Sequence, residues 1–196
     1  DVGTHGKPEL THIVKQCLPR SDYFIFPSKW AQEYVNYSGE NCSVIYNCPM
    51  PEFYLNRNER TETSDTPKIV THHWSTNVRK GFDLYKRFDE FCNQSGEFEF
   101  HYIGQVPKGC SFKNQLPPMA VDHLVGALPN YDIYLTASEE EAGANHVLES
   151  LAAGLPVVYR NPGGSIPEYC ALGGTGYSDF DDMIESLRDV KDNYKK

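Results

Sequence analysis

Short apolar runs alternate with stretches whose apolar residues recur every three or four positions, and this alternation covers most of the chain. Tyr23 to Phe26 is an aromatic and β-branched run stopped by Pro27, after which Ser28 can cap a helix from about Lys29 to Tyr37. Val44 to Tyr46 is a second short strand candidate, followed by the loop N-C-P-M-P, and the polar stretch Asn56 to Pro67 reads as a linker. Ile69 to His73 is the next strand. After it, Phe82, Tyr85, Phe88, Phe91 and Cys92 recur at helical spacing and predict an amphipathic helix.

Phe98 to Ile103 reads as a strand ending at Gly104, and Val106 to Pro118, which lacks periodicity, as a surface loop. A helix over about Val121 to Leu128 precedes a strand from Ile133 to Ala137. Asn145 to Ala153 is helical and stops at Gly154, a favourable residue beyond a helix C-terminus; Pro156 and the buried run V-V-Y follow. Met183, Ile184, Leu187 and Val190 predict a closing helix. Strands separated by helices of this length imply βαβ units, hence an α/β fold with a Rossmann-like parallel sheet flanked by helices. In such open sheets ligands gather at the carboxyl ends of the strands. Attention therefore falls on the residues after His73, Gly104 and Ser138.

Composition narrows the function classes. The 196 residues suffice for one well-cored α/β domain with an appendage, and no apolar run is long enough to span a membrane. The first ten residues lack the apolar core of a signal peptide, and with Asp1 in place of Met we expect the natural N-terminus to lie upstream. Eighteen basic against 27 acidic residues, a net charge of −9, argue against a general nucleic-acid binder but leave room for a small anion held locally. The six cysteines are scattered without a C-x-x-C pair and read as reduced thiols of an intracellular protein, with no metal site expected. His72 and His73 do not change this, because neighbours on a strand point to opposite faces.

The chemistry concentrates in Ser138 to Pro156. The chain leaves a strand, passes the small residues Ala142, Gly143 and Ala144, and enters a helix. Small side chains let a ligand approach the backbone, and the unpaired N–H groups of a first helical turn favour an anion. Glu141 lies before the helix and Glu149 about one turn into it. Two carboxylates beside a phosphate make sense as acceptors for sugar hydroxyls. A second reading stays open: Asn145 or His146 caps the helix, and with His146 as cap Glu149 completes a capping box.

The run Glu141-x7-Glu149, followed by L-A-A-G-L-P-V-V, resembles the paired-glutamate signature of family 4 retaining glycosyltransferases, also called glycosyltransferases group 1. Asn145 in the loop is similar to a bacterial subgroup, which implies a role in surface polysaccharide synthesis. In order along the chain, S-D-Y-F-I-F-P-S resembles the last strand of that family's N-terminal domain and V-I-Y-N-C-P-M-P-E-F-Y its interdomain segment. Lys80-Gly81 resembles its K-G element, Y-D-I-Y-L-T-A-S its strand before the glutamates, and Gly164 to Glu168 its G-G-x-P-E turn.

This resemblance implies the C-terminal, donor-binding half of a GT-B fold with a short remnant of the N-terminal domain. It gives residues 1–47 to the end of the acceptor domain and linker, 48–180 to the nucleotide-sugar domain and 181–196 to a C-terminal helix. It implies that Glu141 meets the hydroxyls of the transferred sugar and Glu149 the ribose hydroxyls. The backbone of Gly143, Ala144, Asn145, His146 and Val147 would face the diphosphate and sugar, and Lys80 would neutralise the departing diphosphate. An Arg usual in the family is replaced here by Ser75, leaving neighbouring Arg79 as the candidate second cation; Gly104 opens the expected base-contacting loop Gln105 to Pro118. No metal or cofactor is implied beyond the nucleotide-sugar co-substrate, and Asp179-Phe180-Asp181 reads as a helix cap rather than a metal motif.

The implied partners are a nucleotide sugar (UDP or GDP), an acceptor such as a glycan or lipid-linked glycan, and an N-terminal domain. The implied location is the cytoplasm, at most peripheral to an inner membrane face. The closing helix is expected to pack back toward the N-terminal segment, and the chain alone to bind donor with little transfer. The alternatives are a GT-B-fold epimerase or phosphorylase and a non-catalytic nucleotide-sugar-binding subunit. A Rossmann dehydrogenase is disfavoured because no G-x-G-x-x-G follows an early strand.

Overall fold

The computed structural model describes residues 8–59, 62–171 and 173–194. It opens with α1 (Pro8–Cys17) and a small parallel pair, β1 (Phe24–Phe26) and β2 (Cys42–Val44), joined through α2 (Lys29–Tyr34). Pro27 ends the first strand, and the Ser28 hydroxyl accepts the N–H of Ala31 at 3.0 Å, so the strand-to-helix switch follows the predicted chemistry. A short helix, α3 (Pro51–Leu55), lies in the stretch read as interdomain loop; Pro51 at its first position supplies a preset φ where no N–H is needed.

The main sheet follows. Its strands are β3 (Lys68–His73), β4 (Glu99–Gly104), β5 (Asn114–Leu116), β6 (Ile133–Thr136), β7 (Val157–Arg160) and β8 (Gly174–Tyr177). They run parallel in the order β5-β4-β3-β6-β7-β8. Counted from β3, this is the doubly wound order, whose direction of growth reverses between β3 and β6. The remaining helices are α4 (Phe82–Ser95), α5 (Val121–Ala127), α6 (Asn145–Ala152), α7 (Ile166–Tyr169) and α8 (Phe180–Asp192).

Neighbouring residues on β3 feed two cores. Ile69 joins Phe82, Tyr85 and Phe88 of α4 and Met183 and Leu187 of α8 on one face. Val70 joins Phe53 of α3, Leu124 of α5 and Val147 of α6 on the other. Helices on both faces explain why the central strands read as near-continuous apolar runs. Each fully buried Phe, such as Phe88, contributes roughly 1.5–3 kcal/mol. The closing helix packs on β7 and β8. Asp179 caps it by accepting the N–H groups of Asp181 and Asp182 at 3.0 Å, as expected of the D-x-D segment. All six cysteines are unpaired.

Both edge strands differ from expectation. Asn114–Leu116 lies in the stretch read as a loop, and Gly174–Tyr177 was not foreseen. No helix among the described residues is long and apolar enough to cross a membrane.

Candidate functional site

Because strand order reverses between β3 and β6, the loops leaving their carboxyl ends diverge and open a cleft. The loop after β3 carries a one-turn 3-10 helix, Val78–Lys80, which ends at Gly81 with φ 80°. A Cβ at Gly81 would stand 2.4 Å from the Ala137 carbonyl oxygen. Only glycine lets this turn close on the end of β6 and start α4 there. Lys80 is thereby set beside the loop that follows β6, where it forms a short ion pair with Glu141; both side chains are largely buried.

Glu141 is anchored by its backbone. Its carbonyl accepts the N–H of Ser165 at 2.7 Å, and Gly164 (φ +71°) packs so closely that a Cβ there would lie 2.3 Å from the Glu141 nitrogen. The G-S-I-P-E turn therefore serves as the back wall of the glutamate loop. Its Glu168 faces the other way. The Glu168 carboxylate accepts the N–H groups of Lys29 at 3.0 Å and Trp30 at 2.7 Å and the Tyr46 hydroxyl at 3.0 Å. The Tyr46 hydroxyl is raised above its usual range, chiefly by this hydrogen bond. Ser28 donates to the Ala142 carbonyl at 2.7 Å, and Asn47 donates to the Asn145 side chain at 2.7 Å. The N-terminal βα unit is thus tied directly to the loop that shapes the site.

α6 begins at Asn145 with Ala144 as its cap, and no side chain caps it. The capping-box reading is therefore not realised. Glu149 reaches across to β3 instead, where its Oε2 lies 2.9 Å from His72 Nε2. The start of α6 borders a cavity of ≈ 430 Å³ bounded by His72, His73, Lys80, Glu141, Gly143, Asn145, His146 and Glu149, with Trp74 and Ser75 at its rim. A smaller cleft adjoins it, sharing His72, His73, Trp74 and Glu149 and also bounded by Gly104, Pro118 and Met119.

The predicted residues Lys80, Glu141, Gly143, Asn145, His146, Glu149 and Ser75 thus come together around one cavity, and Gly104 lines the cleft beside it. Ala144 and Val147 are buried beneath. Arg79 does not join them, because its guanidinium pairs with Glu140, while the Ser75 hydroxyl accepts the Asn77 N–H at 3.1 Å. Glu139 pairs with Arg160 at 2.7 Å, so each of the three consecutive glutamates finds its own cation.

The sequence reading brought in His146 for its backbone and gave no site role to the rings of His72 and His73. His73 and His146 have ring centres 5.1 Å apart, and His72 and His146 6.2 Å. Burial holds both His73 and His146 well below the usual histidine range, with neighbouring Lys80 adding to it. His73 Nε2 lies 2.9 Å from the buried Tyr85 hydroxyl, which accepts the Ala137 N–H at 2.8 Å. The signal that could have found them is position: all three stand at a strand end or helix start facing the switch point. Among the described residues no cluster suited to a metal ion occurs.

The fold is that of the C-terminal half of GT-B glycosyltransferases. Among solved structures, the chain is similar to TarM (14% identity, TM-score 0.70, covering 96% of this chain and 40% of that one). It is also similar to WaaG, a glycosyltransferase involved in lipopolysaccharide biosynthesis (16%, 0.67, 87% and 54%). A third is the sucrose-phosphate synthase of Thermosynechococcus elongatus (14%, 0.69, 96% and 53%). The chain thus spans about half the length of these proteins or less. No protein-family model matches the sequence, and no curated protein matches it.

Proposed function

We propose that this chain is the donor-binding half of a retaining, metal-independent glycosyltransferase of family 4 type. The observation that carries this is the convergence of Lys80, Glu141 and Glu149 on one cavity, at the uncapped start of α6 and at the switch point of the sheet. The helix N-terminus and Lys80 suit a diphosphate. The Lys80–Glu141 pair suits a junction where a leaving diphosphate meets the sugar, with Glu141 accepting from sugar hydroxyls and Lys80 offsetting the charge that develops. Glu149 stands where the cavity meets the Gly104 cleft, which suits ribose hydroxyls with the base in the cleft.

Sugar would pass from the nucleotide diphosphate to an acceptor hydroxyl with retention, through positioning and leaving-group stabilisation. A glycan or lipid-linked glycan is the acceptor class we favour. It would be supplied by an N-terminal domain, so that this chain alone binds donor and transfers little. The nucleotide in the TarM, GtfA and starch synthase structures, which hold UDP, UDP and ADP respectively, supports a nucleoside diphosphate as ligand class. A cytoplasmic location follows from the use of such a donor.

The test is a thermal-shift series with UDP, GDP, ADP and their sugar conjugates on the chain and on Glu149→Ala. Ligand at about a hundredfold excess over its dissociation constant adds roughly 2.7 kcal/mol, a rise of roughly 5–10 °C for a chain of this size. A rise with one base, diminished in the variant, supports the reading. Absence of any rise, in this chain and in a protein carrying the acceptor domain, sinks it.

A further inference from the structure

The cavity assigned above to a diphosphate contains one side-chain cation and two carboxylates. Lys80 is already compensated by Glu141, and Glu149 adds a second negative group at the far end. Arg79, the nearest further cation by sequence, is engaged by Glu140. The start of α6 supplies about half a positive charge. A doubly charged diphosphate entering this space lacks counter-charge, and of the titratable groups in the wall the imidazoles are those whose ordinary range lies nearest neutrality.

We propose that His73 and His146 supply the missing positive charge, by taking up a proton as the diphosphate of the donor binds. This rests on the donor-site reading above and names how that site recognises its anion.

The geometry is specific. Both rings line the cavity and are more than nine-tenths buried, 5.1 Å from centre to centre. Neither is spent on a carboxylate, whereas the third imidazole, His72, is held by Glu149 at 2.9 Å. His73 faces the Tyr85 and Tyr102 rings from α4 and β4, and His146 faces Tyr134 and the Thr136 hydroxyl from β6. Neutral hydroxyls and rings do not compete with an anion for the proton. The charged groups nearby are Lys80 from the loop after β3, Glu141 from the loop after β6 and Glu149 from α6. In the free protein Lys80 disfavours a proton on either ring, and burial does so more strongly. A phosphate oxygen within about 4–6 Å acts in the opposite sense to both.

The sign follows. Proton uptake on binding requires values in the complex above those of the free protein, so donor affinity rises as pH falls through the bound-state value and levels off below the free-state value. The gain is on the order of tenfold per pH unit for each proton taken up.

The experiment is calorimetric titration of this chain with UDP-glucose, UDP-N-acetylglucosamine, GDP-mannose and ADP-glucose, in buffers of contrasting ionisation enthalpy near pH 7.5. These diesters do not titrate near neutrality, so any proton exchanged belongs to the protein. Binding heat that varies with the buffer in the sense of proton uptake, with the dependence diminished in His146→Asn and His73→Asn, supports the proposal. The buffer comparison on the unaltered chain needs no variant to fold. Binding without proton exchange overturns the proposal and leaves the donor site standing, as does binding that depends on added magnesium instead. No binding by any of the four overturns the proposal for this chain, and the donor-site reading falls with it when a protein carrying the acceptor domain also fails to bind.

Discussion

His72 Nε2 lies 2.9 Å from Glu149 Oε2, joining the last turn-facing residues of β3 to the first turns of α6. His72 Nδ1 is buried and has no hydrogen-bond partner among the described residues. A proton there would be unsatisfied, so the ring's proton is assigned to Nε2, donated to the carboxylate. The bond fixes which way Glu149 points and turns a residue of a helix into part of a cavity wall.

If Glu149 meets the ribose, His72 acts as its positioning residue. We expect His72→Leu to weaken binding of a ribonucleoside diphosphate by about tenfold, the range of a lost hydrogen bond to a charged group. Binding of the matching 2′,3′-dideoxy nucleotide should change little. Comparing the two ligands on both proteins checks this; equal losses for both would assign His72 to packing alone.

Removing the Lys80 ammonium leaves a mostly buried carboxylate without its partner. Such one-sided cuts cost about 3–5 kcal/mol, whereas removing both charges costs far less. Lys80→Met should therefore lower the urea-unfolding free energy by a few kcal/mol, and Lys80→Met with Glu141→Gln should recover most of it. Donor binding should be lost in both. A double variant that recovers stability and binding alike would show that the pair is structural and the donor site lies elsewhere.

The buried imidazoles also make stability pH-dependent. The folded values of His73 and His146 are well below the roughly 6.5 of an unfolded histidine. As pH falls below about 6.5 the unfolded chain gains protons first. The contribution is fully present above that pH and is lost progressively toward the folded values, at up to about 2.7 kcal/mol per pH unit for two such groups. Denaturant unfolding between pH 7.5 and 5 should show this decline, and His146→Asn should shallow it by about half.

Much of this architecture is legible in the chain. Periodicity places the helices from Phe82 and Asn145, and the central strands announce themselves because both faces are covered. The edge strands do not. Asn-Gln-Leu at 114–116 and Gly-Thr-Gly-Tyr at 174–177 carry no apolar alternation, since one side of an edge strand is open and pairing there is decided by backbone bonds. The site divides in the same way. Lys80, Glu141 and Glu149 stand out only through the resemblance of their motifs, and the partners of Arg79 and Glu139 depend on the path of a loop that no periodicity encodes. His72 and His73 point to opposite faces as strand neighbours must, yet both approach His146. Only the strand order brings α6 over the end of β3.

Glu168 is the residue whose loss should separate the two parts of the molecule. Its carboxylate accepts from the first N–H groups of α2, which follows β1, and from the Tyr46 hydroxyl, which follows β2. Ser28 caps the same helix, so Glu168→Gln removes charge at the helix start and leaves the Ser28 cap in place. A loss of about 0.5–1 kcal/mol in local stability follows. Amide exchange should quicken at Lys29 and Trp30 while amides of β3 and β6 keep their protection. The Tyr46 hydroxyl, raised by this carboxylate, should titrate closer to its ordinary range in the variant, which ring-carbon NMR reads directly. The consequence reaches the site, because Ser28 and Asn47 of the same unit grip Ala142 and Asn145. Loosening the unit should thus weaken donor binding without altering any group that touches the donor. If exchange at α2 quickens and donor affinity does not move, the N-terminal unit is a passenger on the sheet rather than a wall of the site.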